Sequence, residues 1–490
     1  SINNQTITHF LHIFLNFTQK PSIQRNLNQW SAMAAATKKT CDKSFCEDYL
    51  LLSPKDVGLW DLFMLLISKN IGNRKFIDCP AGTVEGSFSR RFIIFISIVA
   101  QKILHLLYKP LLWLGSVIEF VPNFLDRNGG FLKLPLNLIT GKLVLPDRTS
   151  PEYLSAVGLG DIRRNLDSKI KHEDARYTSA LAMEFLEFFN CWNDYEEDYT
   201  TQGFMWSDKT GDSELIGVSF RGTSPFNAKD WSSDVDLSWY HLPTIGKVHA
   251  GFLKALGLQK SQGWPKDIQA DEQKPYAYYA MRERLKERLQ KNPDAKFLVT
   301  GHSLGAALAT VFPAILAYHK EDDLLSKLEG VYTFGQPRVG DHKFGEYMKE
   351  VLVTHGLRYH RFVYCNDLVP RVPFDNSDQL FKHFGGCHYY NSFYKGQVLP
   401  EEPNKNYFSL FSIIPMFVNA VWELLRSFII YYQDGPEYCE TFSCRGLRVF
   451  GLLIAGLPAH GPQDYVNLTR LGSPELFKYS STDHAINGVK

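Results

Sequence analysis

An apolar run, a glycine-bounded serine and a small-residue run follow one another directly over residues 296–312, and this succession limits the fold more than any other stretch. Lys296-Phe297-Leu298-Val299-Thr300 reads as a buried strand. Gly301-His302-Ser303-Leu304-Gly305 is a G-x-S-x-G turn, and Ala306 to Phe312 reads as a helix. A strand-to-helix turn this tight strains the backbone at the serine and pushes its hydroxyl outward. Glycine is required on both sides, because a side chain at 301 or 305 would meet the neighbouring strand or helix. The plainer alternative is a helix start capped by Ser303, with Gly301 as loop punctuation. The strand before and the helix after favour the elbow.

The surroundings repeat the same grammar. From about residue 146, strand patterns at 215–220, 330–334 and 359–364 alternate with helical ones, including the charged, solvated 281–289. Alternation of this kind implies an α/β fold whose mostly parallel sheet is covered by helices on both faces. The segment 391–445 interrupts it: Phe417, Val421, Leu424, Leu425 and Phe428 recur at helical spacing. This amphipathic insertion is expected to pack as a cap or to touch lipid.

Ahead of 146 the chain is different. Residues 1–32 are rich in Asn, Gln and Thr and precede the first methionine, Met33. They are expected to be a disordered arm or a non-native extension, with a natural start at Met33. Residues 33–145 are expected to be a helical region, with one amphipathic helix at 59–67. Within it, 92–121 is unusually apolar, with Gln101-Lys102 interrupting and Lys109-Pro110 breaking the run. We expect a hairpin of two arms hinged at Pro110 that dips into one leaflet or lies on an oil droplet. The alternative is a helical pair buried against the remainder of the chain.

Charge excludes one class of partner: 53 Lys and Arg against 52 Asp and Glu leave a net +1, with no field for nucleic acid. The eight cysteines contain no C-x-x-C pair, so no metal or redox centre is expected, and the thiols are expected to be free.

A serine hydroxyl is a poor nucleophile at neutral pH and needs a base, which in turn needs an orienting carboxylate. Asp367 follows an apolar strand directly, while Asp375 and Asp378 are rivals farther along a polar loop. His383, His388 and His460 all come later in the chain and remain open as the base. Donors for an oxyanion are the N–H of Leu304 and the glycine-preceded Thr223 in Phe220-Arg221-Gly222-Thr223.

Five blocks in order carry a resemblance: Phe220 to Thr223, Gly301 to Ala309, Thr333 to Gly340, Asn366 to Pro373 and Pro458-Ala459-His460. Together they resemble the fungal-type, class 3 triacylglycerol lipases, and the arrangement with an apolar N-terminal region resembles the plant oil-body lipases. The resemblance implies an α/β-hydrolase domain over 146–490. It also implies Ser303 as nucleophile, Asp367 as orienter, His460 as base, and Thr223 with Leu304 as oxyanion hole. A lid is implied over 224–233, including Phe226 and Trp231. No cofactor is implied. The implied substrate is triacylglycerol or another acylglycerol at a lipid-droplet surface, with the endoplasmic reticulum membrane or cytosol as alternative locations. Two other readings share the scaffold: a phospholipase A1 or galactolipid lipase, and a catalytically dead signalling relative.

Overall fold

The apolar run ahead of Ser303 is the middle of a sheet. In the computed structural model, residues 46, 48–69, 71, 74–80, 86–147, 153, 183–223, 227–258, 274–373, 381–405, 410–435, 438, 440, 442–472 and 476 are described. Their strands are β1 (Asp48–Leu52), β2 (Ile77–Asp78), β3 (Met183–Asn193), β4 (Asp198–Asp208), β5 (Leu215–Phe220), β6 (Trp239–Leu242), β7 (Gly246–His249), β8 (Lys296–His302), β9 (Leu328–Phe334), β10 (Arg358–Tyr364), β11 (Cys387–Tyr390) and β12 (Gly396–Leu399). Eight of them form one sheet in the order β12-β11-β10-β9-β8-β5-β4-β3. The five from β5 to β11 pair in parallel, and the flanking pairs β11–β12, β5–β4 and β4–β3 are antiparallel. This is an α/β-hydrolase fold.

Both faces of the sheet are covered, which is why its central strands read as unbroken apolar runs. Phe297, Val299 and Val331 pack against helices Ala277–Lys291, Leu304–Tyr318 and His342–Thr354. Leu298, Tyr332 and Phe362 point the other way, onto Ile430 of helix Leu410–Asp434 and Tyr465 and Val466 of helix Pro462–Leu471. The period of two along each strand divides the side chains between the two layers.

A second sheet, ordered β2-β1-β6-β7, joins the N-terminal part to the rest. Leu50 of β1 pairs with Trp239 of β6, so this sheet crosses the expected division at 145/146. The expected helix at 59–67 is present, and its Leu62 and Leu65 pack with Ile94, Ile98, Trp239 and Phe381.

The hinge expected at Pro110 is absent. Phe88–Arg127 is one continuous helix of 40 residues, with Pro110 and Pro122 inside it. A proline removes one backbone donor, and the backbone bonds of its neighbours carry the helix through it. The chain turns instead at Gly129 and Gly130, both at positive φ, before helix Gly130–Ile139, and Val144 N–H returns to Asn128 Oδ1 at 3.0 Å. The first part of the long helix is packed on the body through Ile94 and Ile98, whereas Leu106 and Trp113 are exposed. Phe88–Arg127 and residues 413–430 are both long and apolar enough to cross a membrane.

The expectation of free thiols holds at Cys79, Cys191, Cys365 and Cys387 and fails at Cys46, which is disulfide-bonded. Residues 1–45 lie outside the described residues, as does the expected arm within them.

Candidate active site

Parallel register brings the candidate loops to one edge. Phe220 is level with Gly301, and His302 is level with Phe334, which is itself level with Phe362. The residues that follow β5, β8, β9 and β10 therefore emerge side by side at the carboxyl ends of the strands, where open α/β sheets hold their ligands.

Ser303 sits at φ 58° between β8 and its helix, a conformation few side-chain-bearing residues adopt. Its N–H is tied to the carbonyl of Phe334 at 2.9 Å. The glycine requirement is met by contact: a Cβ at Gly301 would lie 2.2 Å from Gly305 O, and one at Gly305 would lie 2.2 Å from Phe220 O. The elbow, not the capped helix start, is what these residues form, since Ser303 makes no side-chain cap bond.

The structure brings Asp367 and His460 to this serine. His460 Nδ1 lies 2.8 Å from Asp367 Oδ2, and His460 Nε2 lies 2.7 Å from Ser303 Oγ. All three side chains are buried. Asp367 follows β10 and is further held by the Val369 N–H on Oδ1 at 2.9 Å. His460 ends a single 3-10 turn, Pro458–His460, just before helix Pro462–Leu471. The prolines at 458 and 462 restrict both sides of that turn.

The other candidate histidines are engaged elsewhere. His383 Nε2 donates to Pro370 O at 2.7 Å, and burial, then Arg361, pulls its pKa down to about 3. His388 faces His360, ring nitrogen to ring nitrogen, at 3.1 Å. Asp375 and Asp378 fall outside the described residues.

Thr223 and Leu304 flank the serine. A Cβ at Gly222 would come within 3.1 Å of Ser303 Cβ, so the 221–223 loop runs directly beside the elbow. Thr223 Oγ1 donates to Asp234 Oδ2 at 2.9 Å, which leaves its backbone N–H as the donor to an added oxygen. Leu304 heads its helix, where the first N–H groups have no carbonyl of their own helix to bond and the helix dipole is positive. Of the expected lid, Phe226 lies outside the described residues. Trp231 sits on the short helix Ala228–Asp234 and meets the His460 ring edge-on, centroids 6.3 Å apart.

Several supporting residues escaped the sequence reading. Tyr465 Oη donates to the same Asp367 oxygen at 2.5 Å. His302, within the elbow motif, bonds through Nε2 to the carbonyl of His460 at 3.0 Å and stacks on its ring. Burial, then the neighbouring His460, holds the His302 pKa well below its ordinary value, so it stays neutral and donates that bond. Gly335 adopts φ 58°, and a Cβ there would lie 2.9 Å from His460 Cε1 and 3.0 Å from Asp367 Oδ2. Arg371 and Arg338 clamp the Asp367 loop by its carbonyls: Arg371 bonds Cys365 O and Asp367 O, and Arg338 bonds Arg371 O and Pro373 O. Gly335, Arg338 and Arg371 lie in blocks that the sequence analysis quoted, but single residues in a loop give no sign of which carbonyl or ring they will meet.

An imidazole between a buried carboxylate and a serine hydroxyl can take the hydroxyl proton while the carboxylate steadies the resulting charge. A family model described as Lipase (class 3) matches residues 217–377. Triacylglycerol lipase OBL1 of Nicotiana tabacum is 37% identical, covering 88% of this chain and 96% of that protein. Its namesake from Arabidopsis thaliana is also 37% identical, covering 89% and 96%. Among solved structures, a lipase from Rhizopus microsporus var. chinensis aligns at 27% identity and a TM-score of 0.34, over 46% of this chain and 68% of that one.

Proposed function

The chain belongs to the class 3 lipase family and is a lipase, and from that premise we propose that Ser303, Asp367 and His460 are its catalytic triad and that it releases fatty acids from triacylglycerol at a lipid-droplet surface. The observation that carries this reading is the single imidazole within hydrogen-bond reach of both Asp367 and Ser303.

His460 Nε2 takes the proton from Ser303 Oγ as that oxygen attacks the ester carbonyl. The carbonyl oxygen becomes an oxyanion, which accepts from the N–H groups of Thr223 and Leu304. The proton then passes from His460 to the alkoxide of the leaving glyceride as the C–O bond breaks. A water molecule, deprotonated by the same imidazole, attacks the acyl-enzyme, and the fatty acid leaves as Ser303 regains its proton. Asp367 holds Nδ1 throughout and stabilises the transient imidazolium. Tyr465 and the neutral His302 hold the carboxylate and the imidazole in position. Trp231, edge-on to His460, is the side of a lid that exposes apolar surface as it opens.

Triacylglycerol is chosen over polar lipids because the relatives that match almost end to end carry the name triacylglycerol lipase. The exposed distal part of helix Phe88–Arg127 supplies apolar side chains for the droplet surface. Replacing Ser303→Ala is expected to lower turnover of a soluble ester by at least ~10³-fold. Unchanged turnover would reject the triad. Parallel assays on triolein, phosphatidylcholine and a galactolipid test the substrate, and cleavage of only the polar lipids would replace triacylglycerol with them.

A further inference from the structure

Helix Leu410–Asp434 is built inside out. Charged side chains on a water-facing helix ordinarily point outward and apolar ones inward. Here Glu423 and Arg426, in the middle of the helix, are buried. Arg448 of helix Phe442–Phe450 bonds Glu423 at 3.4 Å and Asp464 at 2.9 Å, and Arg426 Nη2 approaches Asp464 at 3.8 Å. Arg448 also bonds Glu440 at 2.5 Å, and Tyr394 donates to Asp464 at 2.7 Å. The charges are thus consumed within the protein. The opposite stripe is Phe411, Ile414, Val418, Val421, Leu425 and Ile429, spaced three and four residues apart, with Phe411 94% and Ile414 71% exposed. No Asp, Glu, Lys or Arg occurs from 411 to 432 other than the two that point inward.

The helix also stands on the catalytic loops. Met416 and Ala420 pack with Ala455, and Leu368, next to Asp367, joins that cluster. Leu368 N–H bonds Gly456 O at 3.3 Å, and Asn419 bonds Cys365 Sγ at 3.2 Å. Leu452, Leu453 and Ile454, exposed on the stretch leading to His460, extend the apolar surface.

Resting on the lipase reading above, we propose that the outward stripe of helix Leu410–Asp434, with residues 452–454, is a second lipid-docking surface that lies flat on a neutral-lipid interface and sets the triad loops against it. Water is a poor neighbour for a continuous apolar stripe of this length, and an oil surface is the phase in which the family's substrate resides. A charge-free stripe offers a protein partner no polar rim to specify register. The helix lies in the surface and does not cross it, because crossing would strip Glu423 and Arg426 of their buried partners.

The test uses the full chain carrying Ser303→Ala, so that docking is read independently of turnover. An environment-sensitive fluorescent amino acid at Val418 is followed as phosphatidylcholine-stabilised triolein emulsion is added. A blue shift that tracks flotation with the droplets is the expected result. A probe that stays water-exposed on chains that float overturns the proposal, as does a shift produced by concentrating the protein without lipid, which would mark a self-association face. In the active chain, Ile414→Gln/Val418→Gln/Leu425→Gln is expected to reduce triolein hydrolysis about tenfold while p-nitrophenyl butyrate turnover stays within about twofold. Equal triolein hydrolysis by this variant and the parent also overturns it. Failure of the triad reading would show separately, as p-nitrophenyl butyrate turnover that survives Ser303→Ala.

Discussion

Two long apolar helices lie at the surface of this protein, and they are held in different ways. Phe88–Arg127 is anchored near one end. Arg91 bonds the carbonyl of Leu66 at 2.6 Å, Ser97 bonds that of Val235 at 2.7 Å, and Gln101 approaches Asp236 at 3.5 Å. All three lie within roughly the first four turns, and apolar side chains beyond them face outward. Leu410–Asp434 is anchored along its side, by charges bonded to charges. An end anchor leaves an arm that can present more than one face. A side anchor leaves one stripe, fixed in orientation relative to the loops it stands on.

Removing Arg448 should separate the two cases most. Arg448→Met removes the cation that Glu423, Glu440 and Asp464 share and leaves only Arg426 near Asp464, and a loss of about 3–5 kcal/mol is expected in urea unfolding. Gln101→Leu removes a neutral amide whose bonds to Ser97 and Asp236 are long, 3.2 and 3.5 Å, and should cost less, about 1.5 kcal/mol. Equal losses would break the contrast between the two anchorings.

The next effect concerns the loops beneath the second helix. Gly335→Ala places a Cβ against His460 and Asp367 at a left-handed φ, and a fall in kcat of about 10²-fold on a soluble ester is expected from displacement of the pair. Lipid binding in flotation should not change. A wild-type kcat would mean that the two side chains tolerate the intrusion.

Acid should act on the buried histidines of the body. Burial is the leading cause that lowers the pKa of His249, His302, His360 and His383 from the ordinary 6.5. Between 6.5 and each lowered value the unfolded chain binds a proton that the folded chain refuses. The stabilisation is therefore complete above about pH 6.5 and falls as the pH drops, by up to about 1.4 kcal/mol per pH unit for each histidine. For His383 the loss continues down to about pH 3. Glu402 adds to it at lower pH: burial opposes its ionisation, but Arg361, His383 and Arg338 outweigh burial and hold its carboxyl below the usual range. Urea midpoints measured between pH 7 and pH 5 should decline, and a flat profile would contradict the neutral, buried state of these rings.

The smallest effect on stability belongs to the exposed arm. Leu106→Gln/Trp113→Gln should alter unfolding by less than about 0.5 kcal/mol and reduce droplet coating, measured by flotation. If coating is unaffected, helix Leu410–Asp434 carries the attachment by itself.

Much of the site could be read along the chain because its parts are local. The elbow is a contiguous strand, turn and helix, and Asp367 follows its strand by three residues. Among the histidines, spacing alone left three open, and the family resemblance pointed to His460, the ring that the structure brings to Ser303. The insertion showed its helical period in sequence, but not that its charges face inward. Pro110 was misread for a related reason: a proline reports one missing donor, whereas continuity depends on the bonds of all its neighbours.

The sequence by itself determined the alternation of strands and helices, the tight serine turn and the apolar character of the two long helices. These follow from side-chain periodicity and backbone sterics within a few residues. Only the tertiary structure decided that β1 pairs with β6, that Tyr465 and Gly335 serve the Asp367–His460 pair, and that Glu423 and Arg426 turn inward. Each of these depends on which distant group arrives to share a proton, a carbonyl or a charge, and no local pattern specifies the partner.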